Sequence, residues 1–323
     1  MQTEIVPLGT ASAIPTKERH LAATALWRKG RLLLFDCGEG TQMRLLQSGL
    51  NRARLDALFL THHHGDHFYG TMGVISTLAL LDRDEPLVVV GPAGTEEAVR
   101  AMPGLANDWL PYEVDYRELP EDFSPQTVYE TGEFAVTVRP VEHRVPCMGF
   151  RFEERTRAGH LDAEKARRLG ATEHEHLRAL KRGERVALEN GGTVDPADVL
   201  GPERPGVSFA YVMDTRPCEA ARTLADGVDL LYHEATFGDD QAERAADTGH
   251  STARQAARLA KDAGAGRLLL GHFSARYDTP APLVEEAQAV FPNTAAAEEL
   301  KRYVLDPREK DPRDKDVSRR SET

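Results

Sequence analysis

The stretch "FLTHHHGDHFYG", residues 59–70, concentrates ligand-type side chains in one short loop. Within six positions stand His62, His63, His64, Asp66 and His67. Imidazole and carboxylate are side chains that Zn2+ accepts, and a catalytic zinc needs about three of them plus an open place for water. A single histidine after a strand is more often a structural residue, but four in six positions favour a metal site.

The spacing within this loop predicts two metal sites. In an extended segment alternate side chains face the same side, so His62 and His64 face one way and His63 the other. After the turn that the glycine permits, Asp66 and His67 face a second direction. One loop can therefore offer two ligands to each of two metals, while His63 is predicted to be a non-ligand, solvated or hydrogen-bonded outside the site.

Acidic or histidine residues directly follow several apolar runs along the chain. They are Asp36 after "RLLLF", His62 after "LDALFLT", His143 after "VTVRPVE", Asp214 after "SFAYVM", His233 after "VDLLY" and His272 after "RLLLG". If the strands lie in a common layered core, their ends share an edge and these side chains can converge. His143 could then complete the first metal site and His272 the second, with Asp214 bridging.

The apolar runs alternate with helix-like stretches, which indicates an α/β fold whose sheets are covered by helices. The clearest helix is expected to begin with a cap at Ser251 or Thr252 and to stop at Gly264. Its apolar face consists of Ala253, Ala256, Ala257 and Ala260. This helix should pack on a sheet.

Two segments depart from this pattern. Residues 152–206 are dominated by charge, contain a small hairpin around Gly191 and Gly192, and are predicted to be an insertion in a domain spanning residues 1–305. Residues 306–323 have almost no apolar content and are predicted to be a disordered tail.

Composition narrows the class of protein. The 323 residues are 41% apolar, and no apolar run is long enough to span a membrane. Three widely spaced cysteines without a C-x-x-C pair argue against disulfides and a thiolate zinc site, and no secretory signal is visible, so we expect a cytoplasmic protein. The net charge of −12, averaged over the chain, argues against a polyanionic partner. The segment from Arg151 to Arg185 nevertheless carries a net positive charge, which is either a local binding surface for such a partner or an ordinary solvated surface.

Further motifs stand in "PLGTASAIPTKERH", "FDCGEGTQMRLL", "EHRVPCMGFRF", "MDTRPCE", "HEATF", "GHST" and "HFSARY". These stretches run from Leu8 to Tyr277, most of the chain. H-x-H-x-D-H alone indicates only the metallo-β-lactamase superfamily. Taken together with the other stretches, it resembles the tRNase Z (ribonuclease Z) family of that superfamily.

The resemblance implies an αβ/βα sandwich of two mixed sheets, usually a homodimer, that cuts precursor tRNA just after the discriminator base. It implies two Zn2+ per subunit, with Mn2+ as an alternative. The ligands it implies are His62, His64 and His143 for one ion, Asp66, His67 and His272 for the other, and Asp214 between them. This set agrees with the one reached from spacing.

The resemblance also implies catalytic roles. The proton acceptor falls on Asp66, and the acid falls on His250 of "GHST", supported by His233 and Glu234 of "HEAT". For His233 and Glu234 the alternative is that they are buried, hydrogen-bonded structural residues near the site.

Basic residues outside the metal motifs are expected to contact RNA. Lys17 and Arg19 lie in the proline-bounded "PTKER" loop, which the family uses near the acceptor end, and Arg276 lies in "SARY". The alternatives are a solvated turn for the first two and a loop anchor paired to a carboxylate for Arg276. Phosphate contacts of this kind position the RNA without reading its sequence.

The insertion lies where the family carries the flexible arm, or exosite, that grips the tRNA elbow. Here the chain departs from the family, because "GATEHEHLRALKRGE" stands where a Gly-Pro-rich tip is common. Arm binding is therefore expected in altered form, and His174 and His176 are not expected to bind metal.

Two rival functions remain open at this level. One is a small-molecule phosphodiesterase of the same superfamily, which would need neither the arm nor "PTKER". The other is a non-catalytic RNA-binding member, which would be expected to have lost metal ligands, whereas all seven are present here.

Overall fold

A computed structural model describes residues 2–101 and 110–306 of the chain. It divides into two compact units, one formed by Met1–Glu153 with Val207–Asp306 and the other containing residues 154–206. The predicted tail at 306–323 lies outside the described residues except for Asp306.

Strands in the described part of the chain number eighteen. They are β1 (Thr3–Gly9), β2 (Ala11–Ser12), β3 (Ala23–Arg28), β4 (Arg31–Phe35), β5 (Leu55–Phe59), β6 (Leu87–Pro92), β7 (Val114–Leu119), β8 (Gln126–Glu130), β9 (Phe134–Val141), β10 (Cys147–Glu154), β11 (Val186–Ala187), β12 (Thr193–Val194), β13 (Ser208–Val212), β14 (Leu230–Glu234), β15 (Leu268–Gly271), β16 (Phe273–Ser274), β17 (Thr294–Ala296) and β18 (Tyr303–Leu305). Two mixed seven-stranded sheets have the orders β18-β1-β3-β4-β5-β6-β7 and β17-β15-β14-β13-β10-β9-β8. This confirms the predicted α/β sandwich of two mixed sheets.

Helices in the same residues connect and cover these strands. They are α1 (Thr41–Gln47), α2 (Gly65–Phe68), α3 (Thr71–Ala79), α4 (Thr95–Arg100), α5 (Ala163–Arg168), α6 (His174–Lys181), α7 (Pro196–Val199), α8 (Glu219–Leu224), α9 (Ala242–Thr248), α10 (Ala253–Asp262) and α11 (Ala281–Gln288), with short 3-10 turns at Arg52–Arg54 and Asp239–Gln241. Over these residues, no helix has the length and apolar character that crossing a membrane requires.

The apolar runs explain the sandwich, because both faces of the central strands are buried. In β4, Leu33 and Phe35 enter the core between the two sheets, while Leu32 and Leu34 enter a second core beneath the helices. Strand β15 behaves in the same way, with Leu269 on the inner side and its neighbours on the outer side. Side chains alternate across a strand, so a continuous apolar run is the sequence signature of a sheet covered on both faces.

Helix α10 confirms the predicted cap and stop. Thr252 caps it, and a reciprocal capping box joins Thr252 to Gln255. The four predicted alanines are fully buried in the core beneath this sheet. Gly264, just beyond the helix, has φ of +65°, a left-handed conformation that glycine adopts without a steric penalty.

The parallel strands bring the polar residues to their carboxyl ends. Strands β4, β5 and β6 are parallel neighbours in one sheet, and β13, β14 and β15 in the other. Asp36, Asp214 and His272 each stand one or two residues beyond such a strand with positive φ, at 57°, 42° and 57°. A left-handed residue ends the strand abruptly and costs roughly 1–2 kcal/mol for a non-glycine residue, so the site residues themselves make the turns.

The unit at residues 154–206 has a small core of its own. Strands β11 and β12 pair as the expected hairpin around Gly191 and Gly192. The segment "GATEHEHLRALKRGE" contains helix α6, which the sequence reasoning did not anticipate. The buried residues of this unit are Ala166, Ala171, Leu180, Val186, Val194 and Val199. The segment is therefore a folded excursion.

Candidate metal centre and active site

The first group of candidate ligands consists of His62, His64, His143 and Asp214, whose ligand atoms lie within 4.8 Å of one another. His62 Nε2 is 2.8 Å from His64 Nδ1 and 3.5 Å from Asp214 Oδ2. His143 Nε2 is 3.7 Å from the same oxygen. The extended "THHH" segment thus directs two alternate rings to one point, as the spacing argument requires.

The second group consists of Asp66, His67 and His272, and it faces the other oxygen of Asp214. His67 Nε2 lies 3.1 Å from His272 Nε2, and both nitrogens are 3.4 Å from Asp66 Oδ2. Asp214 Oδ1 lies 3.5 Å from His67 Nε2 and 3.1 Å from His272 Nε2. The two carboxylate oxygens of Asp214 are therefore divided between the two groups.

These separations fit metal coordination. Ligands at about 2.0–2.1 Å around a tetrahedral ion stand roughly 3.3 Å apart, close to the separations in both groups. His143 Nε2 and Asp214 Oδ1 are buried and have no hydrogen-bond partner in the described protein. Buried polar atoms are rarely left without a partner, so these two fit a divalent cation well.

Hydrogen bonds from outside each group fix the rings. His67 Nδ1 donates to Asp36 Oδ2 at 2.7 Å, and His143 Nδ1 donates to the Gly249 carbonyl at 2.8 Å. His272 Nδ1 is 2.9 Å from Thr236 Oγ1. A metal-binding histidine normally has its second nitrogen held in this way, which turns the first towards the ion.

The electrostatics also suit cation binding. Burial lowers the pKa of His62 and of His143, which keeps both rings neutral and able to act as ligands. At His67 burial acts in the same direction, but the surrounding carboxylates, Asp214 foremost, outweigh it and raise the pKa. The negative charge that attracts a proton there would equally attract a metal ion.

His63 is turned away from both groups. Its Nε2 lies 2.8 Å from Thr95 Oγ1, and its ring packs on Phe68 with the ring centres 5.2 Å apart. This is the hydrogen-bonded position outside the site that the alternation of side chains predicts.

His250 and Glu234 form a buried ion pair beside the second group. His250 Nδ1 lies 3.0 Å from Glu234 Oε1. Burial lowers the pKa of His250, but the Glu234 carboxylate outweighs it and raises the pKa to about 9. The other oxygen of Glu234 accepts a hydrogen bond from Thr236 Oγ1 at 2.6 Å. His250 also falls within a third candidate group with Asp214 and His272.

His233 stands apart from the candidate metal groups. It is fully buried, and its Nδ1 donates to the backbone carbonyl of Glu234 at 2.7 Å. The role of His233 therefore stays a prediction, whereas Glu234 contacts His250 directly.

The three basic residues expected to contact RNA occupy different environments. Lys17 and Arg276 are exposed. Arg19 is only 8% exposed, and its guanidinium donates to the backbone carbonyls of Ser274, Tyr277 and Asp278. The RNA contact expected for Arg19 stays a prediction, while in this structure its charged group lies against a neighbouring loop and anchors "PTKER" there.

Asp36 follows its strand, but the sequence alone indicates no role for it. Asp36 is fully buried, holds His67, and accepts hydrogen bonds from Thr61 and Tyr211. Its position at a strand end was the only available signal, since the partners that define its role are distant in sequence.

Comparison with known families gives two separate matches along the chain. Residues 19–141 match a family described as the metallo-beta-lactamase superfamily, and residues 199–273 match a beta-lactamase superfamily domain. Both matched ranges contain candidate ligands and end close to His143 and His272.

Comparisons over the whole chain identify a narrower family. Ribonuclease Z of Salinibacter ruber is 55% identical over 97% of this chain and 97% of its own length, and that of Gloeothece citriformis is 39% identical over 94% and 96%. The crystal structure of the short form of human tRNase Z is similar with a TM-score of 0.65 and 26% identity, covering 94% of this chain and 98% of that one. The chain belongs to the ribonuclease Z family of the metallo-β-lactamase superfamily.

Proposed function

We propose that this protein is a metal-dependent endoribonuclease that removes the 3′ trailer from precursor tRNA. The products would be a tRNA with a 3′-hydroxyl and a trailer with a 5′-phosphate. The observation that carries the proposal is the division of the Asp214 oxygens between two groups of ligand atoms, in a chain similar over its whole length to ribonuclease Z.

The cofactor proposed is two Zn2+ per subunit, with Mn2+ as the alternative. The first ion would be held by His62, His64 and His143, the second by Asp66, His67 and His272, and Asp214 would contribute to both. Imidazole with carboxylate suits zinc, and it also accommodates other first-row divalent ions. When bound, two such ions acidify a water molecule and stabilise charge on a phosphodiester.

The protein's own groups then supply positioning and protons. Asp66 is proposed as the proton acceptor, and its Oδ2 is fixed by a 2.7 Å hydrogen bond from the Ala13 amide. His250 is proposed to donate its proton to the departing 3′ oxygen as general acid. Glu234 keeps His250 protonated and oriented, while His233 supports the backbone beside them.

The unit at residues 154–206 is proposed to be the tRNA-binding arm. Gly206 approaches Glu154 so closely that a side chain at Gly206 would meet the Glu154 carbonyl oxygen at 2.3 Å. The excursion therefore leaves and returns at one place and holds its own core. Lys17 and Arg276 are proposed as further RNA contacts.

A homodimer and a cytoplasmic location complete the proposal. Helix α1 exposes Met43 and Leu46 on one face, and Leu80 and Leu81 are exposed just beyond α3, which packs beside α1. Exposed apolar side chains on neighbouring helices are typical of an association surface. The free cysteines Cys37 and Cys147 are buried as reduced thiols, as suits the cytoplasm.

The ligand assignment predicts opposite results for two adjacent histidines. His63→Ala should retain the wild-type zinc content, near two ions per chain, because its ring contacts Thr95 and Phe68 instead. His64→Ala should bind less zinc, and its cleavage rate should fall by at least about 10-fold. Metal analysis of purified proteins in metal-replete buffer measures the content. Equal loss in both variants would contradict the assignment, and less than one zinc per wild-type chain would support the non-catalytic rival.

If His250 is the general acid, the effect of replacing it should depend on whether the leaving group needs a proton. His250→Ala should slow precursor-tRNA cleavage by about 100-fold or more, the usual contribution of a general acid. Hydrolysis of bis(p-nitrophenyl) phosphate should fall much less, since nitrophenolate departs without a proton. His63→Ala serves as the histidine control beside the site. Parallel loss on both substrates would show that His250 acts otherwise.

Removal of the arm separates the proposed function from the small-molecule rival. Replacing residues 155–205 by a short Gly-Ser linker should abolish precursor-tRNA cleavage but spare bis(p-nitrophenyl) phosphate hydrolysis, because every candidate ligand lies outside the arm. Mapping the 3′ end left on a precursor tRNA checks the first result. A wild-type protein that hydrolyses only the small ester would favour the rival.

The dimer proposal predicts a change of mass in solution. Light scattering should give twice the 35.7 kDa chain mass for the wild type and a single chain mass for a Met43→Glu, Leu46→Glu double variant. Leu169→Glu, which changes a similarly exposed leucine in the arm, should remain dimeric. A monomeric wild type, or a dimeric double variant, would refute this surface.

A further inference from the structure

Arg144 is an exposed cation beside the candidate metal centre that no role so far described requires. It directly follows His143 in "EHRVP". Within residues 2–101 and 110–306, its guanidinium makes no hydrogen bond and no ion pair. Most other arginines around the two sheets are occupied, for example Arg19 with carbonyls and Arg44 with Glu299. A free cation at the rim of an acidic site is therefore unusual in this protein.

The backbone around Arg144 is fixed on both sides. The Glu142 amide donates to Thr215 Oγ1 at 3.0 Å, and its carbonyl accepts from the Arg216 amide at 2.8 Å. His143 is held by the Gly249 carbonyl. The segment is thus attached to the turn after Asp214 and to "GHST", so the base of the Arg144 side chain has a defined position at the site.

The side chain of Arg144 lies against the loop that carries the general acid. A β-carbon at Gly249 would stand 3.4 Å from Arg144 Cγ and 2.9 Å from His143 Nδ1. The next residue is His250. Arg144 therefore stands next to a ligand of the first group in sequence and beside the backbone that leads to His250.

The position of Arg144 indicates which side of the scissile bond it faces. In the proposed function, which this inference extends, His250 faces the departing 3′ oxygen, and that oxygen belongs to the last nucleotide retained by the tRNA. A cation beside Gly249 stands on the same side of the scissile bond. The nearest additional negative charge on that side is the phosphate 5′ of the retained nucleotide.

We propose that Arg144 binds the backbone phosphate immediately 5′ of the last nucleotide that stays on the tRNA, and so sets the register of the strand across the two ligand groups. The planar guanidinium can donate two parallel hydrogen bonds to one phosphate, which a lysine cannot reproduce. A contact of this kind fixes position without reading a base. Arg144 is in this sense a positioning and binding residue, distinct from the ligands and from His250.

The test combines a protein change with a matching change in the RNA. Cleavage of a precursor tRNA by wild type and Arg144→Ala is measured as kcat/KM, with the proposed linkage either native or replaced by an uncharged methylphosphonate. Each change alone should lower kcat/KM by about 10- to 100-fold, the range for a hydrogen bond to a charged group. Applied together they should cause little further loss, because both remove the same contact.

Controls isolate the contact. Arg54→Ala removes another exposed arginine, which has no side-chain hydrogen bond or ion pair to the residues that the structure describes. It precedes β5 at the end opposite His62, and the variant should cleave like wild type. A methylphosphonate at the second linkage of the trailer should lower cleavage by wild type and Arg144→Ala by the same factor. Arg144→Lys should recover only part of the loss, and zinc content and the unfolding midpoint should match wild type in both Arg144 variants.

The outcomes separate this inference from the function on which it rests. The role of Arg144 is overturned if Arg144→Ala cleaves as fast as the wild type. It is also overturned if the losses from the protein change and the RNA change multiply when the two are combined. Either result leaves the nuclease assignment unaffected. Absence of cleavage by the wild type overturns both. Non-additive losses at the proposed linkage, with independent losses at the trailer linkage, support it.

Discussion

The buried carboxylate of Asp214 is the constraint on which the rest of the site depends. It is almost fully buried in a left-handed turn, and its two oxygens face two separate clusters of imidazoles. Asp36, Asp66 and Glu234 add further acidic groups to the same region. Four carboxylates buried this closely are stable only when cations compensate them. His250 pairs with Glu234, and divalent cations held between the two ligand groups would compensate the remaining carboxylates.

The fold brings these residues together by a simple rule. Parallel strands bury both faces, so the chain can place polar side chains only where a strand ends. Asp36 and Asp214 leave their strands through left-handed turns, which projects each side chain at the sheet edge. The sheets pack through an aromatic core that includes Phe35 and Tyr211, and the Tyr211 hydroxyl donates to Asp36 at 3.1 Å. The inter-sheet core and the site are thus joined by one hydrogen bond.

Much of the fold and the ligand geometry could be predicted because the responsible patterns are local. Continuous apolar runs fix strands with two buried faces, and alternation along "THHHGDH" separates His63 from His62 and His64 without knowledge of the partners. The same reasoning fails where a role is defined by distant contacts. Arg19 has the sequence environment of a surface cation, yet its partners are carbonyls more than 250 positions away.

The sequence predicts the excursion at residues 154–206 as an insertion but does not reveal its core, for a related reason. Its core uses isolated small and branched residues, such as Ala166, Leu180 and Val199, spaced among charges. No window of sequence contains enough of them to indicate a core. The helix at His174–Lys181 exposes half of its side chains, and an ion pair within it joins Arg178 to Glu175. The family resemblance implies an arm at this place, and the contacts describe a segment with a small core of its own.

The net charge of −12 opposes binding of RNA when it is averaged over the chain, and the distribution of charge resolves the difficulty. Exposed charges are screened beyond roughly 8–10 Å at physiological ionic strength, so a phosphate responds to nearby groups and not to the sum. Many basic side chains elsewhere are neutralised by acidic partners, as in Arg31 with Asp56 and Arg302 with Glu4. Acidic excess on remote surfaces therefore costs little affinity, provided that unpaired cations and bound metal ions dominate the field where the strand is cut.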